Sequence, residues 1–345
     1  MINQVTDTTI NFWKAGRRIK RSPKGWMSGN AVCCHHNGEA VDKRGRGGLI
    51  QTPEGGVSYH CFNCGFKASY QPGRHLTYKF RKLLSWFGAD ENTIRHLVIE
   101  ALRIRELVQP DLIVEHVADE PKEFEVFPLP DEAKTLHELS TFYTLGNDIG
   151  APRELNDAVL YAASRKVDFG KYDFYWTPET ESNLQHRLII PFTWKNKIVG
   201  YTARALNDSI QPKYHTSCDS NFVFNIDKQL PSSKFVIISE GPFDAMAIDG
   251  VGVLTNDCNE EQADIIESLG KENIVVPHTD KAGRQLLEKA MEYGWTVSFP
   301  VWLHDYKDIS AAVAELGKLF VLKSILAARE SGKLKIELLS RRLYN

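Results

Sequence analysis

The chain has 345 residues, enough for two or three domains, and its 42% hydrophobic and 25% charged content is that of an ordinary globular protein. It has no run of about 18 apolar residues, which excludes a transmembrane helix, and its N-terminal stretch MINQVTDTTINFWKAGRRIK lacks the apolar core of a secretory signal. The net charge of −2 conceals an asymmetry: residues 1–105 hold 17 Lys and Arg against 7 Asp and Glu, whereas residues 106–140 hold 2 against 10.

The first segment, 1–105, is basic and bears cysteines. AVCCHHNG supplies Cys33-x-x-His36 and YHCFNCGF supplies Cys61-x-x-Cys64, with 24 residues between the pairs. Two close pairs joined by a short insert suit a tetrahedral structural zinc, because each pair sits on a tight turn and the insert folds the turns together. Cys34 and His35 lie between the ligands chosen. Cys33 and His36 are preferred because their two-residue gap matches that of the second pair. Four filled positions close the site, so it holds structure and activates no water. Four of the six cysteines, Cys33 and Cys34 with Cys61 and Cys64, sit close together in twos, which argues against a disulfide framework and for a reducing, cytoplasmic setting. Basic runs at Lys14–Lys24 and Lys43–Arg46, with Tyr59, Phe62 and Phe66 around the second pair, suit single-stranded nucleic acid, since cations neutralise phosphates and rings stack on bases. Packing of a small zinc core is the other use of those rings. The segment ends in a helical pattern, NTIRHLVIEALRIREL.

Residues 106–131 are acidic and proline-bearing, with little sustained period, and read as a partly extended linker. From about 132 the composition is that of a mixed α/β domain. The alternation is clearest from 233: strands at KFVIISE, VGVLTN, NIVVP and WTVSFPVW, each followed by a helix, the last of them ISAAVAELGKLF. Such alternation implies βαβ units and a mostly parallel sheet, whose ligands gather at the carboxyl ends of the strands. The residues leaving those ends are Glu240, then His278 and Asp280, then Asp305 and Asp308, a candidate site for a hard cation such as magnesium.

These residues resemble a known family. VIISEGPFDAMA is similar to the glutamate motif of the TOPRIM fold, with Glu240-Gly241 after a strand and Asp244 on the next helix. VVPHTDKAGR resembles that fold's second motif, YKDIS the Lys-Asp element of TOPRIM primases, and the Cys, His, Cys, Cys order the zinc domain of bacterial replicative primases. HRLIIPFTWKNKIVGYTARAL and QPKYHTS resemble the basic stretch between them. The match runs in order over most of residues 30–310 and implies a DNA primase. Its expected organisation is a zinc-ribbon domain over 1–105, a linker over 106–131, the first part of the catalytic core over 132–232, a TOPRIM subdomain over 233–317 and a helical tail over 318–345. The resemblance implies that Glu240 is the essential carboxylate, as metal ligand or as proton acceptor for the attacking hydroxyl. It implies that Asp280 and Asp308 hold catalytic magnesium or manganese, with Asp244 in support and Asp305 and His278 as further candidate ligands. Arg187, Arg204 and Lys213 would bind template or nucleotide phosphates. The partners implied are single-stranded DNA template, ribonucleoside triphosphates and a separate replicative helicase.

The family places an acidic residue where this chain has His278. A neutral imidazole suits magnesium poorly, so His278 either marks a weaker or manganese-preferring metal position, hydrogen-bonds a phosphate or acidic neighbour, or fills space while Glu240, Asp280 and Asp308 suffice. The last two together are the favoured reading. No Gly-x-x-x-x-Gly-Lys-Ser/Thr occurs, so no P-loop ATPase is expected. A TOPRIM domain followed only by a short basic tail resembles stand-alone primases of tailed phages, which would place the protein in a host cytoplasm. A TOPRIM nuclease and a non-catalytic zinc-ribbon single-strand-binding protein are the alternatives.

Overall fold

The computed structural model describes residues 3–107, 123–145, 150–178, 183–255 and 257–344. The chain divides into two compact units, Met1–Lys122 with Glu267–Lys271, and Glu123–Ile266 with Glu272–Asn345.

In the first unit, α1 (Gln4–Lys14) precedes five strands, β1 (Lys20–Arg21), β2 (Met27–Gly29), β3 (Gly47–Gln51), β4 (Val57–Cys61) and β5 (Lys67–Tyr70), paired antiparallel in chain order. Two helices follow, α2 (Tyr78–Phe87) and α3 (Glu91–Leu107). Alternation decides which face packs: Val57, Tyr59 and Cys61 are buried along β4, while Ser58 and His60 between them are half-buried. The buried face meets Trp13, Phe80, Leu83 and Leu84. The Thr77 hydroxyl caps α2 by accepting from the Phe80 N–H at 3.2 Å. Buried Asp42 ties the loop before β3 by accepting from the N–H groups of Ala31, Arg44 and Arg46 at 2.8, 2.8 and 2.7 Å. Burial opposes its charge, but those donors hold its carboxyl below the usual range.

The second unit contains two sheets. β6 (Lys134–Thr135), α4 (Leu136–Leu145), α5 (Arg153–Ser164), β7 (Tyr175–Trp176), β8 (Arg187–Trp194), β9 (Lys197–Ala205) and β10 (Tyr214–Cys218) come first, and their strands form an antiparallel sheet in chain order. Lys195 and Asn196 close the β8–β9 hairpin with φ of 49° and 62°, the paired positive angles of a two-residue turn whose twist suits adjacent strands. The chain then alternates through β11 (Phe235–Ser239), α6 (Pro242–Ile248), β12 (Val251–Gly252), α7 (Glu260–Ser268), β13 (Glu272–Val275), α8 (Lys281–Tyr293) and β14 (Thr296–Ser298). α9 (Ile309–Leu316), α10 (Lys318–Ala327), β15 (Arg329–Glu330) and α11 (Lys333–Tyr344) complete it. The second sheet has the order β12-β11-β13-β14-β15, parallel except for β15. The expected α/β fold with a mostly parallel sheet, preceded by a small cysteine-bearing domain, is therefore present.

Some expectations differ from the observed elements. WTVSFPVW is a strand only to Ser298, because Pro300 opens a short 3-10 turn over Val301–His304. ISAAVAELGKLF divides at Gly317, whose φ of 85° ends α9. Of the expected linker 106–131, residues 108–122 lie outside the described residues, and the part from 123 packs into the second unit. There the ring of Phe124 meets Trp194 and Phe222 edge-on at 5.5 and 5.2 Å. The expected tail is part of the fold: β15 extends the sheet, and Val321 and Ile325 of α10 are buried with Ile237, Ile274 and Trp302. Among the described residues no helix is long and apolar enough to cross a membrane.

Candidate active site

In the first unit the sulfurs of Cys33, Cys34, Cys61 and Cys64 lie within 4.8 Å of one another. Cys33 and Cys64 are 3.5 Å apart, as are Cys34 and Cys61. Four thiolates at about 2.3 Å from a tetrahedral zinc stand about 3.8 Å apart, so the spacing and the soft donor set fit a structural zinc. Asn63 and Asn37 direct side-chain N–H groups at Cys34 and Cys64 from 3.4 and 3.6 Å. Burial opposes ionisation of Cys61, but the backbone N–H groups of Cys64 and Asn63 pull its thiol below the ordinary range. This corrects the expected ligand set, for Cys34 stands where His36 was assigned. The exposed His36 ring is stacked on Trp86 at 4.5 Å with planes 6° apart and is not in the group. Equal gaps do not decide the ligand set, because adjacent cysteines entering a tight turn converge just as well.

The other face of this sheet carries a row in register across the strands: Lys20, Ser28, Gly48, His60 and Lys67. Gly48 has no side chain because rings lie over it; a Cβ there would stand 2.9 Å from Trp26 and 3.4 Å from Phe62. Phe62 is 61% exposed, with His60 4.3 Å and Trp26 5.9 Å away between ring centroids. A cation-flanked aromatic face of this kind can stack bases.

In the second unit the strand exits of the parallel sheet open into a cleft of about 280 Å³. Glu240 follows β11 directly and Asp244 lies on α6; both are buried, at 7% and 5% exposure. The β13 exit brings His278 between them. Its Nε2 is 2.9 Å from Asp244 Oδ2 and its Nδ1 3.3 Å from Glu240 Oε2. Burial would lower the imidazole's pKa, but hydrogen bonds and attraction from the two carboxylates raise it to about 10. His278 is thus an imidazolium at neutral pH, bonded to acidic neighbours. Asp244 Oδ1 accepts from the Ser310 N–H at 2.8 Å. Glu240 Oε1 is buried without a hydrogen-bond partner.

The loop carrying His278 is held at both ends. Asp280 Oδ1 accepts from the Gly283 N–H at 3.1 Å, and the Tyr344 hydroxyl of α11 donates to the His278 carbonyl at 2.8 Å. Gly283 permits a close approach, since a Cβ there would lie 2.1 Å from that carbonyl oxygen.

Glu240, Asp244, His278, Asp280 and Asp308 all line the cleft. Of these, Glu240, His278 and Asp280 form the group of three whose ligand atoms all lie within 4.8 Å of one another. Asp308, expected to hold metal, stands outside that group and caps α9 by accepting from the Ala311 N–H at 2.8 Å. Asp305 does not line the cleft; it is an exposed residue after the 3-10 turn. A buried carboxylate oxygen without a donor, with a second carboxylate near it, fits a hard divalent cation such as magnesium or manganese.

The lining of the cleft is also cationic, with Arg165, Lys213 and Lys307. Burial, and then Arg204, Lys307 and Arg165, lower the pKa of Lys213. Arg165 bonds the Tyr161 hydroxyl at 2.6 Å, and its guanidinium lies 5.1 Å from the Phe243 ring centroid. Two arginines expected to bind phosphate are set back from the cleft. Arg204 donates from Nε to the Tyr161 hydroxyl at 2.9 Å and lies 5.1 Å from the Tyr214 ring centroid. Arg187 is 3% exposed and donates from Nη1 to the Ala203 carbonyl at 3.1 Å, inside the antiparallel sheet. Arg165, Lys307 and Tyr214 are cleft residues to which the sequence reading gave no role. Lys307 lay within the quoted YKDIS, whereas Arg165 carried no signal beyond a helix-ending cation.

No family model matches the chain, and no curated protein matches it. Among solved structures it is similar to the zinc-binding and RNA polymerase domains of the Aquifex aeolicus primase, at 16% identity and TM-score 0.45, covering 99% of this chain and 90% of that one. It is also similar to a DnaG primase catalytic domain bound to ssDNA, at 15% identity and TM-score 0.45 over 60% and 83% of the two chains. A third likeness is to the E. coli primase catalytic core, at 16% identity and TM-score 0.36 over 56% and 69%.

Proposed function

We propose that this chain is a DNA primase that joins ribonucleotides into short primers on single-stranded DNA by metal-dependent nucleotidyl transfer. One observation carries the reading: the buried Glu240 carboxylate, with Oε1 unpartnered, shares a cleft with Arg165, Lys213 and Lys307. Carboxylates and cationic side chains lining one cleft are what transfer from a triphosphate requires. The TOPRIM-like motifs around Glu240 and Asp280 support the same chemistry.

Glu240 and Asp280 would hold magnesium or manganese, which when bound stabilises the charge growing on the attacking and leaving oxygens. Lys213, Lys307 and Arg165 orient the triphosphate, and Arg204 supports Lys213 by donating to its carbonyl at 3.4 Å. Template bases stack on the face formed by Trp26, His60 and Phe62, with Lys20 and Lys67 on the phosphates. The four cysteines hold zinc and so fix the strands carrying those rings. The same reading carries a host-cytoplasmic setting, a tailed-phage origin and a separate replicative helicase as partner.

The test is primer synthesis on varied single-stranded templates with labelled ribonucleotides and magnesium or manganese. Short RNA products that disappear with Glu240→Gln are expected. Loss of labelled DNA without ribonucleotides would replace the reading with a TOPRIM nuclease. DNA binding with neither activity, with zinc and helicase supplied, would leave a single-strand-binding module.

A further inference from the structure

The number of cations the cleft can take depends on which carboxylate oxygens are already committed. Asp244 has both engaged, Oδ2 with His278 Nε2 at 2.9 Å and Oδ1 with the Ser310 N–H at 2.8 Å. The other ring nitrogen of His278 faces Glu240 Oε2 at 3.3 Å. An ion bridging Glu240 and Asp244 would therefore have to displace the imidazole ring. Glu240 Oε1 is different, because it is buried in a cleft-lining residue 7% exposed and has no hydrogen-bond partner. A buried carboxylate oxygen in that condition is costly unless a cation meets it.

We propose that the His278 ring occupies the place of a second ion: lying between Glu240 Oε2 and Asp244 Oδ2, it leaves a single divalent-ion position, between Glu240 and Asp280. The inference rests on the metal-dependent reading of this cleft. Asp280 is the natural second ligand, since its oxygen is grouped with those of Glu240 and His278 within 4.8 Å. A hard cation takes carboxylate oxygen in preference to imidazole. His278 is accordingly a positioning residue, holding Glu240 by Oε2 while Oε1 serves the ion. Asp308 lies outside this group and adds no ligand to that position.

The experiment counts Mn²⁺ bound to the full, zinc-loaded chain without nucleotide, from the electron paramagnetic resonance signal of free Mn²⁺. Sites that persist in Glu240→Gln are subtracted as surface binding. One Glu240-dependent ion is expected on the wild-type protein, weakened at least about tenfold in Asp280→Asn. His278→Asp, verified as folded by circular dichroism, is expected to bind two. Two Glu240-dependent ions on the wild type would overturn the inference whatever the variants do, as would a folded His278→Asp that still binds one. If His278→Asp does not fold, the wild-type count decides. The count involves no primer synthesis: a protein that binds one ion but makes no primer would fail the primase reading alone, and one that makes primers while binding two would fail this inference alone.

Discussion

Buried donor atoms decide the chemistry at two places, and in each a single side chain carries the distinction. At the cysteine cluster it is Cys34. Cys34→Ser is expected to release zinc, whereas His36→Ala is expected to retain about one equivalent, measured by metal analysis of the purified protein. At the cleft it is His278, whose pKa is raised from 6.5 to about 10 by two carboxylates that outweigh its burial. A group that binds its proton more tightly when folded stabilises fully below its unfolded pKa, and that contribution is lost as pH rises through the folded value. Without added divalent ions, the melting temperature should therefore fall between pH 7 and pH 10, and His278→Phe should flatten the fall. Cys34 is adjacent to Cys33 in the sequence, but a gap length alone does not rank it against His36 as a ligand. A hydrogen bond from His278 to an acidic neighbour is expected from the sequence, but which carboxylates it meets follows only from the fold that brings α6 to the β13 exit.

At the scale of elements, the parallel sheet was legible and the antiparallel one was not. Strands alternating with helices after 233 place Glu240, His278 and Asp280 at one edge from the sequence alone. β8 gave no comparable signal: RLIIPFTW is buried at Arg187, Leu188, Ile189 and Ile190 in succession, so the alternation of a one-faced strand is missing. Of the cationic cleft residues, Lys213 is assigned through the family resemblance, whereas Arg165 ends a helix and gives no signal of its own. The loop between β13 and α8 provides a test at this scale. Glycine to alanine in an exposed helix normally stabilises by about 1 kcal/mol. Gly283→Ala should do the reverse, because its Cβ would lie 2.1 Å from the His278 carbonyl oxygen. A loss of about 1–3 kcal/mol is expected in chemical denaturation, with a fall in primer synthesis as the loop shifts.

For the whole molecule, the uneven charge matters more than its sum. Residues 1–105 hold ten more cations than anions, 17 against 7, although the chain totals −2. Binding of single-stranded DNA should therefore weaken steeply between about 50 and 200 mM salt as released counterions lose their entropic advantage. Phe62→Ala should weaken binding by about 1–3 kcal/mol at fixed salt, leaving the salt slope unchanged, because a ring contributes stacking and no charge. Fluorescence anisotropy of a labelled oligonucleotide measures both. An unchanged affinity would remove Phe62 from the DNA-binding face.

The two borders of the parallel sheet are each closed by the chain itself. On one side the Phe224 N–H donates to the Gly252 carbonyl at 2.8 Å, and on the other β15 pairs with β14. An uncovered border is a template on which a second molecule can add its own strand. A chain shortened to end at residue 317 would expose the β14 ladder along with the apolar residues that α10 covers. Such a protein is expected to self-associate, with light scattering that grows with concentration while the full chain stays clear. Residues 318–345 would then be as much a guard against aggregation as a support for the cleft.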